Sequence, residues 1–348
     1  MIEIDGAMLS GSGTILRYAV SLASLLGDDL HMINIRARRK NPGLRPQHLR
    51  ALLACCEMTG GRVEGAEVDS QEIFYHPGQS EIGGQNFSWD IGTAGSTTML
   101  AFSILPLAVF SRKPHTFTIT GGLFQDFAPS AYHFRQVLLP HLSAMGAQAD
   151  LQILQPGYVP QGQGKIQLIT QPLGQKSLRS ICLLEQGDVH RIRGISLASH
   201  LKEQMVGQRM AQACRQVLEK EGLEASFELI EDTTAVQKGA ALFVADRTNT
   251  GCLLGADMAG KIGRRAEQIG RHVAGLLLED LRSGACVDRH LADQLILFAA
   301  LAEGTTEYTI PAMTGHVETN LWLVEKMLGA GTHREGKRLR IQGVGFKK

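Results

Sequence analysis

The feature that most constrains the fold of this chain is an internal repeat of helices and capping glycines. Three apolar helices are predicted to begin near Thr14, Thr97 and His290. Each is followed by a strand and a second helix, and the second helices end at Gly60, Gly146 and Gly329. Glycine just past a helix is the usual left-handed cap, so three copies of one unit are expected. Alternating strand patterns and apolar helix stripes make each unit a sheet covered by two helices.

The spacing of the capping glycines also predicts an inserted domain. Gly60 and Gly146 are 86 residues apart, whereas Gly146 and Gly329 are 183 apart, which leaves 97 residues beyond one repeat. A surplus of that length is enough for a small domain. We therefore predict a repeat domain of residues 1–184 and 278–348, with units at about 1–85, 86–184 and 278–348, and an inserted domain at 185–277.

Strand and helix patterns alternate within the predicted insert. Strands are predicted at residues 190–197, 225–230 and 241–245, and helices at 202–221 and from 264 to about 281. The predicted fold class is α+β, with three repeated units packed around a shared helical core and a small inserted α+β domain.

Composition excludes several classes of protein. The 348 residues include 35 Lys and Arg against 34 Asp and Glu, so any nucleic-acid site must be a local patch. Six cysteines without a C-x-x-C pair exclude a zinc ribbon and favour reduced thiols. No signal peptide and no apolar segment of membrane-spanning length are visible, so a cytoplasmic location away from membranes is expected.

Two glycine-rich loops each open an apolar helix. They cover residues 6–17 and 91–98, and both combine glycines with hydroxyl side chains. Free backbone N–H groups at a helix N-terminus suit phosphate or another anion. The Gly-Lys-Ser/Thr ending of a P-loop is absent, so an ordinary glycine-rich turn is the alternative.

A basic segment follows the first loop. Six of the fifteen residues from 36 to 50 are Lys or Arg, and Pro42, Gly43 and Pro46 make the segment a loop. Guanidinium groups held on a rigid loop suit phosphate recognition. A solvated basic loop without a ligand is the alternative interpretation.

The repeat singles out one position in each second helix. Thirteen residues before the capping glycines stand Gln47, His133 and His316. A helix N-terminus disfavours imidazolium, so His316 would stay neutral and nucleophilic near pH 7. A buried capping histidine is the alternative. Asp293 and Gln294 near the start of another helix can cap it or bind ligand hydroxyls and amines.

Together these segments resemble the RNA 3′-terminal phosphate cyclase family along nearly the whole chain and in the same order. The segments that carry the resemblance are residues 5–7, Gly11, Gly13, 15–17, 35–36, Arg39, 42–49, 91–96, 128–129, 291–295, His316 and 319–320. The insert adds residues 255–257 with Gly263, Ala266, Glu267 and Gly270.

The resemblance implies three two-helix, four-strand units with an inserted α+β domain. It implies a ligase-type enzyme that converts an RNA 3′-phosphate to a 2′,3′-cyclic phosphodiester at the expense of ATP. A histidine attacks the α-phosphorus of ATP, AMP passes from that nucleotidyl-histidine to the RNA 3′-phosphate, and the adjacent 2′-OH displaces AMP. Use of that 2′-OH would favour RNA over DNA ends.

Site residues carried over by the resemblance fall into three groups. The nucleophile is His316. The ATP-binding residues are His290, Leu291, Ala292, Asp293, Gln294 and Phe102. The RNA or phosphate-binding residues are Arg17, Arg36, Arg39, Arg45, Gln47 and His48. A divalent metal, Mg or Mn, is expected to offset the triphosphate charge, with no protein ligand assigned, and a homodimer is left open.

The chain also departs from the family pattern. Where the family has Glu, Gly, Gln, Gln, Thr, Asp and Glu, this chain has Ser10, Ser12, Thr14, Phe102, Leu123, His133 and Lys261. Loss of a carboxylate at Ser10 favours a rival interpretation, a non-catalytic RNA-binding relative in RNA processing or ribosome assembly. A second rival, an enolpyruvyl transferase, shares the repeat architecture but needs no nucleophilic histidine.

Overall fold

The first sheet and its two helices come from the N-terminal quarter of the chain. The computed structural model describes residues 1–78, 82, 84–189 and 191–348. The elements are β1 (Ile2–Asp5), α1 (Gly13–Leu26), β2 (Leu30–Ile33), α2 (Pro46–Thr59), β3 (Arg62–Glu64) and β4 (Ile73–His76). The strand order is β1-β2-β4-β3, with β1 and β2 parallel and the other neighbours antiparallel.

The second sheet repeats this topology. Its elements are β5 (Asn86–Asp90), α3 (Thr97–Val109), β6 (His115–Gly121), α4 (Ala131–His133), a π-helical turn (Phe134–Leu138), α5 (Leu139–Ala144), β7 (Gln148–Gln155) and β8 (Gly164–Gln171). The order β5-β6-β8-β7 again places one parallel pair, β5 and β6, beside antiparallel neighbours. The same chain order therefore produces the same sheet twice.

A third four-stranded sheet lies between residues 192 and 259. Its elements are β10 (Ile192–Ser199), α6 (Val206–Lys220), β11 (Ala225–Asp232), β12 (Gly239–Arg247), β13 (Leu253–Ala259) and α7 (Ala266–Arg282). The order is β11-β10-β12-β13, and α6 and α7 pack on this sheet. Apolar side chains between helices and sheet form a cluster separate from the main core, including Met210, Val244, Leu254, Val273 and Leu277.

The elements of this region differ from the predicted ones at the start of α6 and in the additional strand β13. The predicted helix at residues 202–221 begins at Val206, because residues 202–205 form a turn and Met205 has a left-handed φ of 49°. Strand β13 was not predicted. The predicted strand at 190–197 corresponds to β10, but its first residue, His190, lies outside the described residues.

The fourth sheet combines the C-terminal segment with a short strand that precedes the insert. Its elements are β9 (Cys182–Leu183), α8 (Leu291–Leu301), β14 (Thr305–Thr309), α9 (Gly315–Leu328), β15 (Gly331–Glu335) and β16 (Arg338–Gln342). The order is β15-β16-β14-β9, with β9 parallel to β14. Strand β9 thus takes the place that β1 and β5 take in the other sheets, and residues 192–282 interrupt this unit before α8.

The first helices of the three units meet in the main core. Helix α1 is buried along nearly its whole length, and Tyr18 on it stacks on Phe102 of α3 with ring centroids 5.3 Å apart. Phe102 in turn contacts Phe298 of α8 edge-on at 5.7 Å. The predicted α+β class is confirmed. Left-handed Gly60 and Gly329 cap α2 and α9 as predicted, with φ of 65° and 70°.

Among the described residues, no helix is both long and apolar enough to cross a membrane.

Candidate functional site

His316 stands in the first turn of α9. The Thr314 side chain caps this helix by accepting a hydrogen bond from the Val317 N–H at 3.2 Å. Partial desolvation by the surrounding protein lowers the pKa of His316, and the nearby cations Arg39 and Arg17 lower it further. The ring is therefore neutral at pH 7, which agrees with the expectation from its place at a helix N-terminus.

Hydroxyl groups of the first glycine loop face one side of this imidazole. Ser12 Oγ and Thr14 Oγ1 each lie 3.5 Å from His316 Nδ1. Ser12 is at the same time the N-cap of α1, because its Oγ accepts from the Thr14 N–H at 3.3 Å. These contacts engage Nδ1 and leave Nε2 without a hydrogen bond among the described residues.

Ser10, the position where the family carries Glu, joins the same cluster. Its Oγ lies 3.0 Å from Ser12 Oγ and 2.9 Å from Thr319 Oγ1. The Ser10 N–H also donates to Thr319 Oγ1 at 3.2 Å. Thr319 lies one turn beyond His316 on α9, so the missing carboxylate is replaced by a hydroxyl contact that joins the loop to α9.

Arg17 supplies a buried positive charge beside this cluster. It lies on α1, and its Nη2 donates to Thr14 Oγ1 at 3.4 Å. Burial lowers the pKa of Arg17 to about 10, so the guanidinium remains charged at neutral pH. A cation held there favours an anionic ligand near His316.

The start of α8 is fixed by a buried ion pair that the sequence did not single out. Asp288 Oδ1 accepts from the N–H groups of His290 and Leu291 at 2.8 and 2.9 Å. Its Oδ2 accepts from His133 Nε2 and from the Gly255 N–H, both at 2.9 Å. Burial alone would lower the pKa of His133, but the Asp288 carboxylate raises it above its ordinary value. An Asp three residues before the first residue of a helix was the available sequence signal for this contact.

Asp293 and His290 are the residues of the predicted ATP-binding segment that keep accessible surface. Burial raises the pKa of Asp293 to about 7, although nearby Arg17 opposes the shift. The Asp293 backbone carbonyl accepts from Asn320 Nδ2 at 3.0 Å and from Tyr18 Oη at 3.4 Å. Burial lowers the pKa of His290, and the charge of His133 lowers it further. Both contacts to the Asp293 carbonyl hold the segment against α9 and α1.

The other predicted ATP-binding residues are in the interior. Leu291, Ala292 and Gln294 are buried on α8, and Phe102 packs between Tyr18 and Phe298. Phe102 was expected to touch the nucleotide pocket, but its ring is only 2% exposed. Its role in ATP binding therefore stays a prediction. The ring contacts Tyr18, which in turn donates to the Asp293 carbonyl, so Phe102 reaches the predicted ATP-binding segment only through Tyr18.

The predicted phosphate-binding arginines on the basic loop have different surroundings. Arg36 Nη1 donates to the carbonyls of Asn41 and Gly43 at 2.8 and 2.7 Å, so it supports its own loop. Arg45 forms an ion pair with Asp69 at 2.5 Å. Arg39 is exposed and close enough to His316 to lower the pKa of its imidazole. Arg39 is thus the cation of this loop best placed to meet a ligand at His316.

Gln47 and His48 make structural contacts at the start of α2. Gln47 Oε1 accepts from the Ser96 N–H of the second glycine loop at 3.0 Å. His48 is buried, and its Nδ1 accepts from the Arg45 N–H at 3.2 Å. Burial lowers the pKa of His48 well below its ordinary value, and Arg17 and Arg36 add to this effect.

A small cavity adjoins the start of α8. It encloses about 300 Å³ and is lined by Gln125, Asp126, Phe127, Ala128, Asp257, Met258, Arg264 and His290. Phe127 is fully exposed at the edge of this cavity. An aromatic ring and a neutral imidazole around an open space suit a planar heterocycle.

The described part of the chain offers a metal ion few protein ligands. There, no group of three or more His, Cys, Asp or Glu side chains is placed to hold a metal ion. Hydroxyl groups surround His316 instead of carboxylates, so the residues present do not form a protein cage for Mg²⁺ or Mn²⁺.

The amino-acid sequence is similar to those of known proteins of one family. A sequence model described as RNA 3′-terminal phosphate cyclase matches residues 8–333. The chain is 38% identical to the RNA 3′-terminal phosphate cyclase of Caldivirga maquilingensis over 98% of this chain and 97% of the relative. It is 37% identical to that of Archaeoglobus fulgidus (98% and 100%) and 34% identical to that of Methylococcus capsulatus (99% and 95%). The chain therefore belongs to the RNA 3′-terminal phosphate cyclase family.

Proposed function

We propose that this protein is an ATP-dependent RNA 3′-terminal phosphate cyclase with His316 as its nucleophile. The observation that carries the proposal is a neutral imidazole whose Nδ1 faces the Ser12 and Thr14 hydroxyls at 3.5 Å, while two arginines lie nearby. A proton held on Nδ1 leaves the lone pair of Nε2 free for attack.

In the first step, His316 Nε2 attacks the α-phosphorus of ATP. A P–N bond forms, the bond to the β-phosphate oxygen breaks, and pyrophosphate leaves with the electron pair. Arg17 stabilises the negative charge on the phosphates. The Ser12 and Thr14 hydroxyls hold the ring in the tautomer that the attack requires.

In the following steps, the RNA supplies both attacking groups. An oxygen of the 3′-phosphate attacks the phosphorus of AMP, the P–N bond breaks, and His316 regains its lone pair. The neighbouring 2′-OH then attacks the activated 3′-phosphorus, and the bond from that phosphorus to the AMP oxygen breaks as the cyclic phosphodiester closes. AMP leaves with the electron pair, and the 2′-OH proton passes to water. We assign Arg39 to the incoming RNA phosphate, since it is exposed beside His316.

ATP binding is assigned to the start of α8. The small cavity beside His290 would take the adenine, and the Asp293 carboxylate, close to α1 and α9, would accept from ribose hydroxyls. The contacts of Leu291, Ala292, Gln294 and Phe102 give that segment its position. The divalent cation would enter as the Mg²⁺ or Mn²⁺ complex of ATP, held mainly by phosphate oxygens.

Arg17 is assigned to the phosphates near His316. Arg36, Arg45, Gln47 and His48 would act by shaping the basic loop and the start of α2. A homodimer and a cytoplasmic location stay predictions.

An end-modification assay tests the proposed reaction. An RNA with a labelled 3′-phosphate is incubated with the protein, ATP and Mg²⁺ or Mn²⁺, and is then treated with phosphatase. The expected result is a phosphatase-resistant end together with AMP and pyrophosphate. A matched RNA with a terminal 2′-deoxyribose should stop at the adenylylated end. ATP consumption without protection of the end, or protection of the deoxy end as a cyclic product, would contradict the proposal.

A further inference from the structure

A second cavity separates the helices of the insert from a loop of the repeat domain. This cavity, here the insert groove, encloses about 670 Å³ between residues 158–161 and the first turns of α6 and α7. Its walls are joined by Gln237, which donates from Nε2 to the Val159 carbonyl at 2.9 Å and accepts from the Gln161 N–H at 3.1 Å. These two hydrogen bonds fasten the loop at residues 159–161 to Gln237 and so fix the position of one wall relative to the other.

Charge in the insert groove has one sign. Five cationic side chains line it, and none of the lining residues in the described part of the chain is Asp or Glu; the five are Arg209, Lys238, Lys261, Arg264 and Arg265. The whole chain has a net charge of only +1, so this concentration is a local feature. A concave surface of a single sign focuses the field on ligands of the opposite sign.

Two of the five cations are neutralised, whereas three are not. Arg209 pairs with Glu267 at 2.7 Å, and Arg264 forms a two-pronged pair with Asp126 at 3.0 Å. Lys238, Lys261 and Arg265 form no ion pair among the described residues, although Lys261 lies close enough to Asp126 to lower the pKa of that carboxyl. These three come from separate loops and a helix start, so the free positive charge is spread along the groove.

The position of the α6 and α7 N-termini adds to this charge. The two helices run in the same direction, and Gly270 allows their backbones to touch, since a Cβ there would lie 2.3 Å from the Met210 carbonyl oxygen. Both positive helix ends therefore open on the same groove. Ile262, almost fully exposed, and Val159, 57% exposed, add apolar surface beside the cations.

The insert groove adjoins the proposed nucleotide site. Arg264 lines both the groove and the smaller cavity, and His290 lines that smaller cavity. An RNA chain that leads out of the nucleotide site past Arg264 would therefore pass the three cations that form no ion pair. Cations combined with exposed apolar side chains are the surface that sequence-tolerant single-strand binding uses.

We propose that the insert groove binds the phosphate backbone of the RNA upstream of its 3′-terminal nucleotide. The proposal rests on the proposed function, because it takes the RNA substrate of the His316 site as the occupant. It gives the insert a role in substrate affinity that depends on RNA length.

Charge reversal with a matched control tests this proposal. The groove variant carries Lys238→Glu, Lys261→Glu and Arg265→Glu. The control carries Lys113→Glu, Lys220→Glu and Arg62→Glu, which change the same charge at exposed positions outside the groove. Fluorescence anisotropy without ATP measures the Kd of each protein for a 12-nucleotide and a 3-nucleotide RNA that end in 3′-phosphate.

The groove variant should bind the 12-mer at least tenfold more weakly than wild type, and the 3-mer within twofold. The slope of log K against log salt for the 12-mer should fall by about 2, as expected for three lost phosphate contacts. An unchanged 12-mer Kd would overturn the proposal. An equal loss for the 3-mer, or an equal loss in the control, would overturn it as well.

Self-adenylylation separates this proposal from the proposed function. Labelling of His316 by ATP needs no RNA, so wild type and groove variant should label equally. If wild type does not label but the length-dependent difference in Kd is present, the adenylylation chemistry fails and the groove assignment stands.

Discussion

Gln47 and His316 occupy the same position in their repeats, and they meet the same kind of loop, but only one of them has a reactive role open to it. Each stands thirteen residues before a capping glycine and at the start of a second helix. Gln47 accepts from the Ser96 N–H of the second glycine loop, and His316 faces the Ser12 and Thr14 hydroxyls of the first. The Gln47 amide is used in a hydrogen bond to the second glycine loop, whereas the His316 imidazole keeps Nε2 without a hydrogen bond among the described residues.

The corresponding residue of the remaining unit, His133, forms a buried ion pair. His133, at the same repeat position, donates to Asp288 at the start of α8 and is buried. In each unit, therefore, the start of the second helix contacts the start of the first helix of another unit. Unit one contacts α3, unit two contacts α8, and unit three contacts α1. The repeat thus provides three equivalent contacts, here called joints: Gln47 with Ser96, His133 with Asp288, and His316 with Ser12 and Thr14. The side chain at each joint decides whether the joint is structural or reactive.

The buried joint should contribute most to stability. Asp288→Asn removes the charge that His133 and the start of α8 depend on, so we expect a loss of about 3 kcal/mol in the free energy of unfolding. Urea denaturation measures it. Asp69→Asn, which breaks the exposed pair with Arg45, should cost less than about 1 kcal/mol. Similar losses for the two variants would contradict the difference drawn between a buried joint and a surface pair.

Asp293, beside the reactive joint, should give a pH-dependent effect. Its pKa is about 7 in the folded protein against an ordinary value of 3.8, so the folded state binds this proton more tightly. The stabilisation is complete below the ordinary value and is lost as pH rises through 7. Asp293→Asn should therefore reduce the loss of stability between pH 4 and pH 8, by roughly 2 kcal/mol after allowance for partial exposure. Parallel pH profiles of unfolding would refute this.

Arg39 should separate RNA binding from nucleotide chemistry at the reactive joint. Arg39→Ala removes one exposed cation beside His316, and we expect the Kd for a 3′-phosphate RNA to rise about tenfold, the size of one charge-assisted contact. Self-adenylylation should persist. Lys40→Ala is the neighbouring control. Equal loss of RNA binding and adenylylation in Arg39→Ala would break this division of labour.

The amide joint should show the smallest effect. Gln47→Ala removes one acceptor of the Ser96 N–H. Because the Gln125 side-chain oxygen also faces this N–H at 3.2 Å, the loss should be at most about 1 kcal/mol in unfolding free energy. The rate of adenylylation per folded molecule should stay within twofold of wild type, because this joint is structural. A large fall in that rate, with stability unchanged, would give Gln47 a direct role at phosphate.

The sequence predicted the parts of this arrangement that are local. Helix ends follow from capping glycines, and the repeat count alone placed His316 in the first turn of α9. The partners of the three joints could not be predicted in this way, because Ser12 and Asp288 lie far along the chain from His316 and His133. Spacing does not say which loop a helix will meet.

The burial of the Phe102 ring could not be predicted from the sequence pattern either. Phe102 is apolar in an apolar helix, and only the packed arrangement shows that Tyr18 and Phe298 enclose its ring. The pairing of β9 with β14 was equally hidden, since the insert separates them in sequence.

Labelling by ATP shows whether His316 alone among the three joints is reactive. The protein is incubated with α-labelled ATP and Mg²⁺ or Mn²⁺ and is separated under denaturing conditions, beside His316→Ala and the exposed control His333→Ala. We predict an acid-labile label, as a phosphoramidate requires, that persists in His333→Ala and is absent from His316→Ala. A label that survives in folded His316→Ala, or no label in folded wild type with either metal, would contradict the assignment of His316 as the nucleophile.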